Sequence, residues 1–149
     1  IVVDTPAAIP AQDLPGYLQD ADKIIVPVLP SDIDLHACSR CIADLLLVGK
    51  IKREDNRIGV VANRVRKNTL VYQSLMRFLD QLRIPIVATI RDSQNYVRSA
   101  ELGVSVHEMK SYIVRDDLAQ WETLIAWIGG ERPSSAGEPA LTAMVGRSL

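Results

Sequence analysis

Four short polar clusters follow apolar runs of the chain and contain the side chains best suited to chemistry. Asp4 follows the first run, Asp32 closes the cluster after the second, Asn63 follows the third, and Arg91-Asp92 follows the fourth. A carboxylate in such a position can hold Mg²⁺ or its water ligands. An asparagine offers the donor and the acceptor that match the edge of adenine. Asp4 and Asn63 also fit ordinary turn or helix-cap roles, so each residue alone leaves both interpretations open.

The apolar runs do not alternate with polar residues, which is typical of strands buried on both faces of a parallel sheet. They are Ile1–Val3, Ile24–Leu29, Ile58–Ala62 and Ile84–Ile90. Segments with helical spacing lie between and after them, with predicted starts at Ser31, Thr69, Ser93 and Asp116 and predicted ends at Gly103 and Gly129 for the last two. This alternation predicts a doubly wound α/β fold, with a mostly parallel sheet and helices on both faces. Because parallel strands end at one edge, we expect Asp4, Asn63 and Arg91 to converge there.

The composition is that of one globular domain: 149 residues, 48% of them hydrophobic, and a net charge of −1. This balance excludes a polycationic tail or a disordered chain. No apolar run approaches the roughly 18 residues of a membrane span, and the first residues lack the pattern of a secretory signal. We predict a domain over residues 1–130 and a flexible tail over residues 131–149, which are rich in Pro, Gly and Ser.

Positive charge is concentrated in the middle of the chain. Residues 50–115 hold thirteen bases and six acids, whereas residues 1–34 hold one base and six acids. Scattered bases of this kind form either a solvated face or a surface for nucleic acid. The candidates are Arg64, Arg66, Lys67, Arg91, Arg98, Lys110 and Arg115. Arg98 and Lys110, on either side of the turn at Gly103, are the preferred pair.

Cys38 and Cys41 stand three residues apart on a predicted helix, close to His36. A structural zinc site needs four ligands, and the chain has only two histidines. A redox-active cysteine pair usually begins a helix, whereas Cys38 lies at least a turn inside this one. We therefore interpret both as thiols that face the core of a protein in a reducing compartment.

The order of these motifs resembles the ParA/MinD family of deviant-Walker P-loop ATPases from Ile1 to about Ile128. The segment Ile1–Ala7 looks like the Walker B strand and the start of the second switch. The segment Ala21–Ser31 is similar to the next strand of the family, and Gly59–Val65 looks like the strand whose terminal asparagine contacts adenine. The segment Ile84–Asp92, with Ala100–Val106 after it, is similar to the loop of the base pocket and the helix that follows.

The resemblance implies functions for individual residues. Asp4 would be catalytic and would act on Mg²⁺ through water. The base of ATP would be held by Asn63, Arg64 and the segment Ile90, Arg91 and Asp92. Arg98 and Lys110 would contact nonspecific DNA. Members of the family form homodimers that sandwich ATP and hydrolyse it slowly under stimulation by an adaptor or cargo protein. They move plasmids, chromosomes or other cargo over the nucleoid. The resemblance therefore implies a cytoplasmic, nucleoid-associated protein with no membrane partner.

Two departures from the family pattern affect these expectations. The sequence has no G-x-x-x-x-G-K-[ST] loop and no lysine-rich variant of it, and the first switch with its catalytic aspartate is absent. The chain also starts inside a predicted strand without an initiator Met, so we expect that an N-terminal portion is missing and that this chain alone does not hydrolyse ATP. Arg91 stands where the family often has proline, which affects the expected base pocket.

Three other functions remain open from the sequence: a MinD-like accessory protein, an ATP-dependent amidoligase or synthetase of the same superfamily, and a scaffold that has lost its P-loop. A ligase should carry polar side chains after Asp4, whereas Ala7–Ala11 is apolar and favours a dimer contact. A membrane-anchoring last helix would need a basic polar face, which residues 116–128 lack. We therefore predict that this helix packs on the sheet.

Overall fold

Helices and strands alternate along the chain in a computed structural model, which describes residues 1–6 and 9–130. The strands are β1 (Ile24–Val28), β2 (Ile58–Val65) and β3 (Ile86–Arg91). The helices are α1 (Leu14–Leu18), α2 (Asp32–Leu47), α3 (Leu70–Leu82), α4 (Gln94–Leu102) and α5 (Ser111–Ile128), with short 3₁₀ turns at Arg53–Asp55 and Val106–Glu108. The predicted tail over residues 131–149 lies outside the described residues.

Three of the helices begin at the residues that the sequence predicted. The side chains of Ser31, Thr69 and Ser93 each accept a hydrogen bond from a backbone N–H in the first turn of α2, α3 and α4. Helix α4 ends at Gly103, whose φ of +67° is a conformation that glycine adopts without steric cost. Helix α5 begins at Ser111 rather than at Asp116, because the residues in between continue its turns.

The described strands form a parallel sheet in the order β1-β2-β3. Strand β2 lies in the centre, with Val26 of β1 and Ile86 of β3 both aligned with Val60. Helices cover both faces of this sheet, which confirms the predicted α/β class. The strand predicted at Ile1–Val3 is wrong for the described residues: Ile1 to Pro6 form no regular element, and the first three side chains are exposed. None of the described strands pairs with them, and an unpaired strand leaves its backbone groups to water.

The larger core fills the sheet face beneath α1, α2 and α3. Its completely buried members include Val60 in the sheet and Leu75 on α3. Cys38 also faces this core, and burial, with a smaller contribution from Cys41, raises the pKa of its thiol to about 11. Cys41 is exposed, so the predicted inward orientation is correct for one thiol and wrong for the other. Among the described residues, no group of three or more His, Cys, Asp or Glu side chains is arranged to hold a metal.

The smaller core lies on the opposite face, where α5 packs on β2 and β3. Trp127 is 1% exposed and lies over Gly59, where a Cβ atom would come within 2.8 Å of the indole ring. The indole N–H donates to the side chain of Asn56, and the ammonium of Lys23 lies 4.5 Å from the ring centroid. These contacts confirm that the last helix packs on the sheet. None of the helices in the described part of the chain combines the length and apolar character that a membrane span requires.

Candidate functional site

A bulge at the carboxyl end of β2 brings most of the predicted nucleotide-binding residues together. Ala62 pairs with Thr89 and Val65 pairs with Arg91, so that Asn63 and Arg64 together lie opposite the single residue Ile90. Arg64 has a φ of +51°, a left-handed conformation that costs a non-glycine residue about 1 kcal/mol. Bulges of this kind redirect side chains and are common beside functional sites. The end of the sheet therefore places the Asn63 segment beside the β3 segment that the sequence associated with it.

Asn63 is half-buried at this bulge and, among the residues that the structure describes, uses only part of its hydrogen-bonding capacity. Its side-chain oxygen accepts a hydrogen bond of 3.0 Å from the N–H of Arg64. A carbonyl oxygen has a second lone pair, and the amide nitrogen has two hydrogens to donate. Asn63 thus stabilises the turn, which was the ordinary structural interpretation, and keeps a donor and an acceptor side by side. That pair is the arrangement that the edge of adenine requires.

Asp92 ties the start of the β3–α4 loop to the segment after β2. Its carboxylate accepts hydrogen bonds of 2.7 and 3.0 Å from the guanidinium of Arg66, and Arg64 lies at 3.5 Å. The hydrogen bonding to Arg66, aided by the positive charges of both arginines, holds the pKa of this carboxyl below its usual value. The backbone N–H of Asp92 donates to the carbonyl of Val65. Asp92 therefore serves to hold the loop in place, and its oxygens are already engaged.

The side chain of Arg91 points away from the bulge and contacts α5. Its Nε donates a hydrogen bond of 2.6 Å to Asp117, and a terminal nitrogen lies 3.7 Å from Asp116. The backbone N–H of Arg91 donates to the side chain of Gln120. Since the N–H groups of both Arg91 and Asp92 are already paired, a base held against this segment would have to donate to its carbonyl oxygens and pair with Asn63.

Asp117 is completely buried, which is unusual for a carboxylate. Besides Arg91, it accepts hydrogen bonds from the hydroxyl of Ser93 at 3.3 Å and from the amide nitrogen of Asn95 at 2.6 Å. Burial raises its pKa, but the three donors and the positive charge of Arg91 outweigh burial and leave the pKa below its usual value. The carboxylate is therefore held in its charged form.

A cleft of about 220 Å³ opens beside the bulge, between the end of β1 and the start of α3. It is lined by Pro30, Arg64, Arg66, Thr69 and Val71. Its position at the carboxyl edge of the sheet is where open parallel sheets bind ligands.

Asp4 lies in the first described segment, outside the network at the bulge. Among the described residues, it has no hydrogen bond or ion pair and is exposed. A single carboxylate suits Mg²⁺ only where phosphate oxygens and water complete the octahedron. The sequence contains no phosphate-binding glycine loop that would position such phosphate oxygens.

Ion pairs separate the basic residues into two groups. Arg64 and Arg66 pair with Asp92, Arg91 pairs with Asp117, and Arg115 lies 3.7 Å from Asp116. Among the described residues, Lys67, Arg98 and Lys110 are exposed and have no carboxylate within 4.0 Å. Arg98 lies on α4, and Lys110 immediately precedes α5. The pair that the sequence favoured therefore keeps its charge available to an external partner.

The sequence interpretation missed the role of Asp117, because Asp116-Asp117 was expected to open the last helix. The available signal was spacing: Asp117 falls on the same helix face as Val114 and Leu124, three residues after the first and seven before the second. A carboxylate on such an apolar stripe is buried when the helix packs and needs donors from the facing segment.

Comparisons with known proteins give limited but relevant similarity. No protein-family model matches the chain, and no solved structure matches it. Over 110 residues the chain is 24% identical to the maintenance of carboxysome distribution protein A of Halothiobacillus neapolitanus, a match covering 73% of this chain and 50% of that protein. The chain thus spans about half the length of the curated relative that it matches. At this level of identity the similarity is distant, and it is to a protein named for maintaining carboxysome distribution.

Proposed function

We propose that this chain is part of a ParA-like ATPase that positions a cellular cargo. The full-length protein would bind ATP and Mg²⁺, form a homodimer around the nucleotide, hydrolyse ATP slowly, and bind nonspecific DNA. The observation that carries the proposal is the bulge that sets Asn63 opposite Ile90, together with the similarity to a protein that maintains carboxysome distribution.

The base of ATP is the part of the nucleotide that the described residues fit. Asn63 keeps a donor and an acceptor for the adenine edge, and backbone carbonyls of the neighbouring β3 segment suit the exocyclic amine. Asp4 is proposed to hold a water ligand of Mg²⁺, which when bound would neutralise phosphate charge. The phosphate cradle has to come from polypeptide other than the residues described.

Nonspecific DNA is the proposed surface on which the protein works. Arg98 and Lys110 are supported as contact residues because they are exposed and, within the described part of the chain, have none of the ion pairs that engage four of the other candidates. Phosphate contacts of this type give affinity without sequence preference and depend strongly on salt. Nucleoid association, and a cargo or adaptor protein that stimulates hydrolysis, follow from the same proposal.

The test is nucleotide selectivity in the full-length protein. Substitution of Asn63→Ala should raise the Kd for ATP about tenfold and reduce the preference for ATP over GTP, because a good bidentate base contact is worth about 1–3 kcal/mol. The matched control is Asn68→Ala, which removes an exposed asparagine from the next loop and should leave both affinities unchanged. A protein that binds no ATP, or one in which both variants behave alike, would contradict the proposal.

A further inference from the structure

The β3–α4 loop is attached to α5 through a single buried carboxylate. Asp117 receives hydrogen bonds from Arg91 at the end of β3, from Ser93 at the N-cap of α4, and from Asn95 in the first turn of α4. These donors lie at alternate positions of one loop. All of them converge on a side chain that is 0% exposed.

The attachment is reinforced one turn further along α5, where Gln120 accepts a hydrogen bond of 2.7 Å from the backbone N–H of Arg91. Ser93 has a double role, because its hydroxyl donates to Asp117 and accepts from the N–H of Asn95. Asn95 also donates to the backbone carbonyl of Ile113 on α5. The loop therefore cannot shift relative to α5 without breaking several hydrogen bonds around a buried charge, which is costly.

We propose that Asp117 is a positioning residue for the nucleotide site, fixing the backbone of residues 90–95 in its place beside Asn63. The inference rests on the proposed function, since it assigns a residue that supports the same site. Asp117 does not itself reach the site; it acts through Arg91, Ser93 and Asn95. A hydrophobic residue here would pack α5 equally well but would leave the loop free to move.

The sharpest perturbation is Asp117→Asn, because it keeps the shape of the side chain. The oxygen of the new amide can still accept from Arg91, but its NH₂ group would face the NH₂ group of Asn95, where the carboxylate now accepts at 2.6 Å. Two donors then oppose each other. If this leaves the loop in its competent conformation a tenth of the time, the Kd for ATP rises about tenfold.

The same geometry offers a rescue. Adding Asn95→Asp to Asp117→Asn exchanges donor and acceptor across the 2.6 Å contact, so that the amide now donates to a carboxylate. An acidic residue is also favourable in the first turn of α4. The double variant should therefore recover part of the ATP affinity that the single variant loses, but not all of it, because a carboxylate at position 95 cannot donate to the carbonyl of Ile113. A merely destabilising substitution would show no such recovery.

The experiment measures two quantities in the full-length protein: hydrogen exchange of the backbone amides of residues 91–96 without nucleotide, and the Kd for ATP. The control is Leu75→Ala, which damages the core on the opposite sheet face and should leave both quantities unchanged well below its melting temperature. For Asp117→Asn we expect about tenfold faster exchange and about tenfold weaker ATP binding, with both effects partly reversed by Asn95→Asp.

Each alternative result has a distinct meaning. Unchanged exchange in Asp117→Asn would show that the carboxylate does not fix the loop and would overturn the inference. Faster exchange with unchanged ATP affinity would show a structural clamp without a positioning role and would overturn it as well. A wild-type protein that binds no ATP would refute the proposed function and the positioning role together, while the exchange data would still show whether Asp117 fixes the loop.

Discussion

The ion pair between Arg91 and Asp117 should respond unequally to removal of its two partners. Arg91 is 39% exposed in its side chain, whereas that of Asp117 is 0% exposed. Truncation by Arg91→Ala leaves the buried carboxylate of Asp117 without its charged partner and with only two neutral donors, Ser93 and Asn95. Breaking a buried pair in this way costs about 3–5 kcal/mol, and we expect the lower part of that range because water reaches the arginine and screens the pair.

The opposite truncation, Asp117→Ala, should cost less, about 1–3 kcal/mol. It loses the hydrogen bonds but also removes the charge whose burial was unfavourable, and the guanidinium of Arg91 can turn to water or to Asp116. The prediction is thus that removing the half-exposed partner destabilises the protein more than removing the buried one. The matched control is Arg115→Ala, which breaks an exposed contact with Asp116 and should change stability by at most about 1 kcal/mol.

The assay is urea unfolding at pH 7, followed by the fluorescence of the tryptophans on α5. Acid provides a second measurement. The pKa of Asp117 is lowered in the folded protein, so its contribution to stability is complete above the unfolded pKa of about 3.9 and is lost as the pH falls through the lowered value. The gap between wild type and Arg91→Ala should therefore narrow below about pH 4. Equal costs for the two truncations, or a larger cost for Asp117→Ala, would refute the reasoning.

Three further outcomes are expected. In the full-length protein, Asp4→Ala should abolish ATP hydrolysis measured as phosphate release, and retained turnover would exclude its role at Mg²⁺. Arg98→Glu with Lys110→Glu should weaken DNA binding and reduce the slope of log K against log salt by about 0.9 for each lost phosphate contact, whereas an unchanged slope would remove both residues from the interface. Gly59→Ala should cost about 1–3 kcal/mol because its methyl group meets the indole ring of α5, while Gly16→Ala, with open space around it, should be tolerated; equal melting temperatures would contradict this.

The DNA prediction needs a control with the same change of net charge. Arg40→Glu with Lys52→Glu reverses two exposed bases on other elements and should leave most of the salt slope intact. If this control weakens DNA binding equally, the effect is one of total charge rather than of a surface formed by Arg98 and Lys110.

The sequence predicted the elements well where local and tertiary signals agree. Strands β1, β2 and β3 follow from their continuous apolar runs, and α2, α3 and α4 start at the predicted Ser31, Thr69 and Ser93 because a capping side chain is recognisable locally. The prediction of a strand at Ile1–Val3 was wrong because an apolar run forms a strand only where a neighbouring strand pairs with it. Cys41 shows that helical spacing is also an incomplete guide to burial: it lies three positions after the buried Cys38 and is nevertheless exposed.

The candidate site could be predicted as a set of residues but not as a geometry. The position of polar residues at strand ends predicted that Asn63 lies near Ile90 and Asp92. The register of β2 and β3 brings these backbone segments together in that way. The bulge that positions these residues relative to one another depends on the left-handed backbone conformation of Arg64, which the residue type does not predict. The roles expected of Arg91, at the base of ATP or at nucleic acid, depend on the direction of its side chain, which is set by its hydrogen bond to Asp117 on α5.

The most direct test of the account is where the base of ATP lies. Photolabelling of the full-length protein with 8-azido-ATP, followed by peptide mapping, should place the label within residues 58–66 or 86–95, and an excess of ATP should suppress it. Labelling confined to residues 14–57 of this chain, or labelling that ATP does not suppress, would contradict a nucleotide site at the ends of β2 and β3.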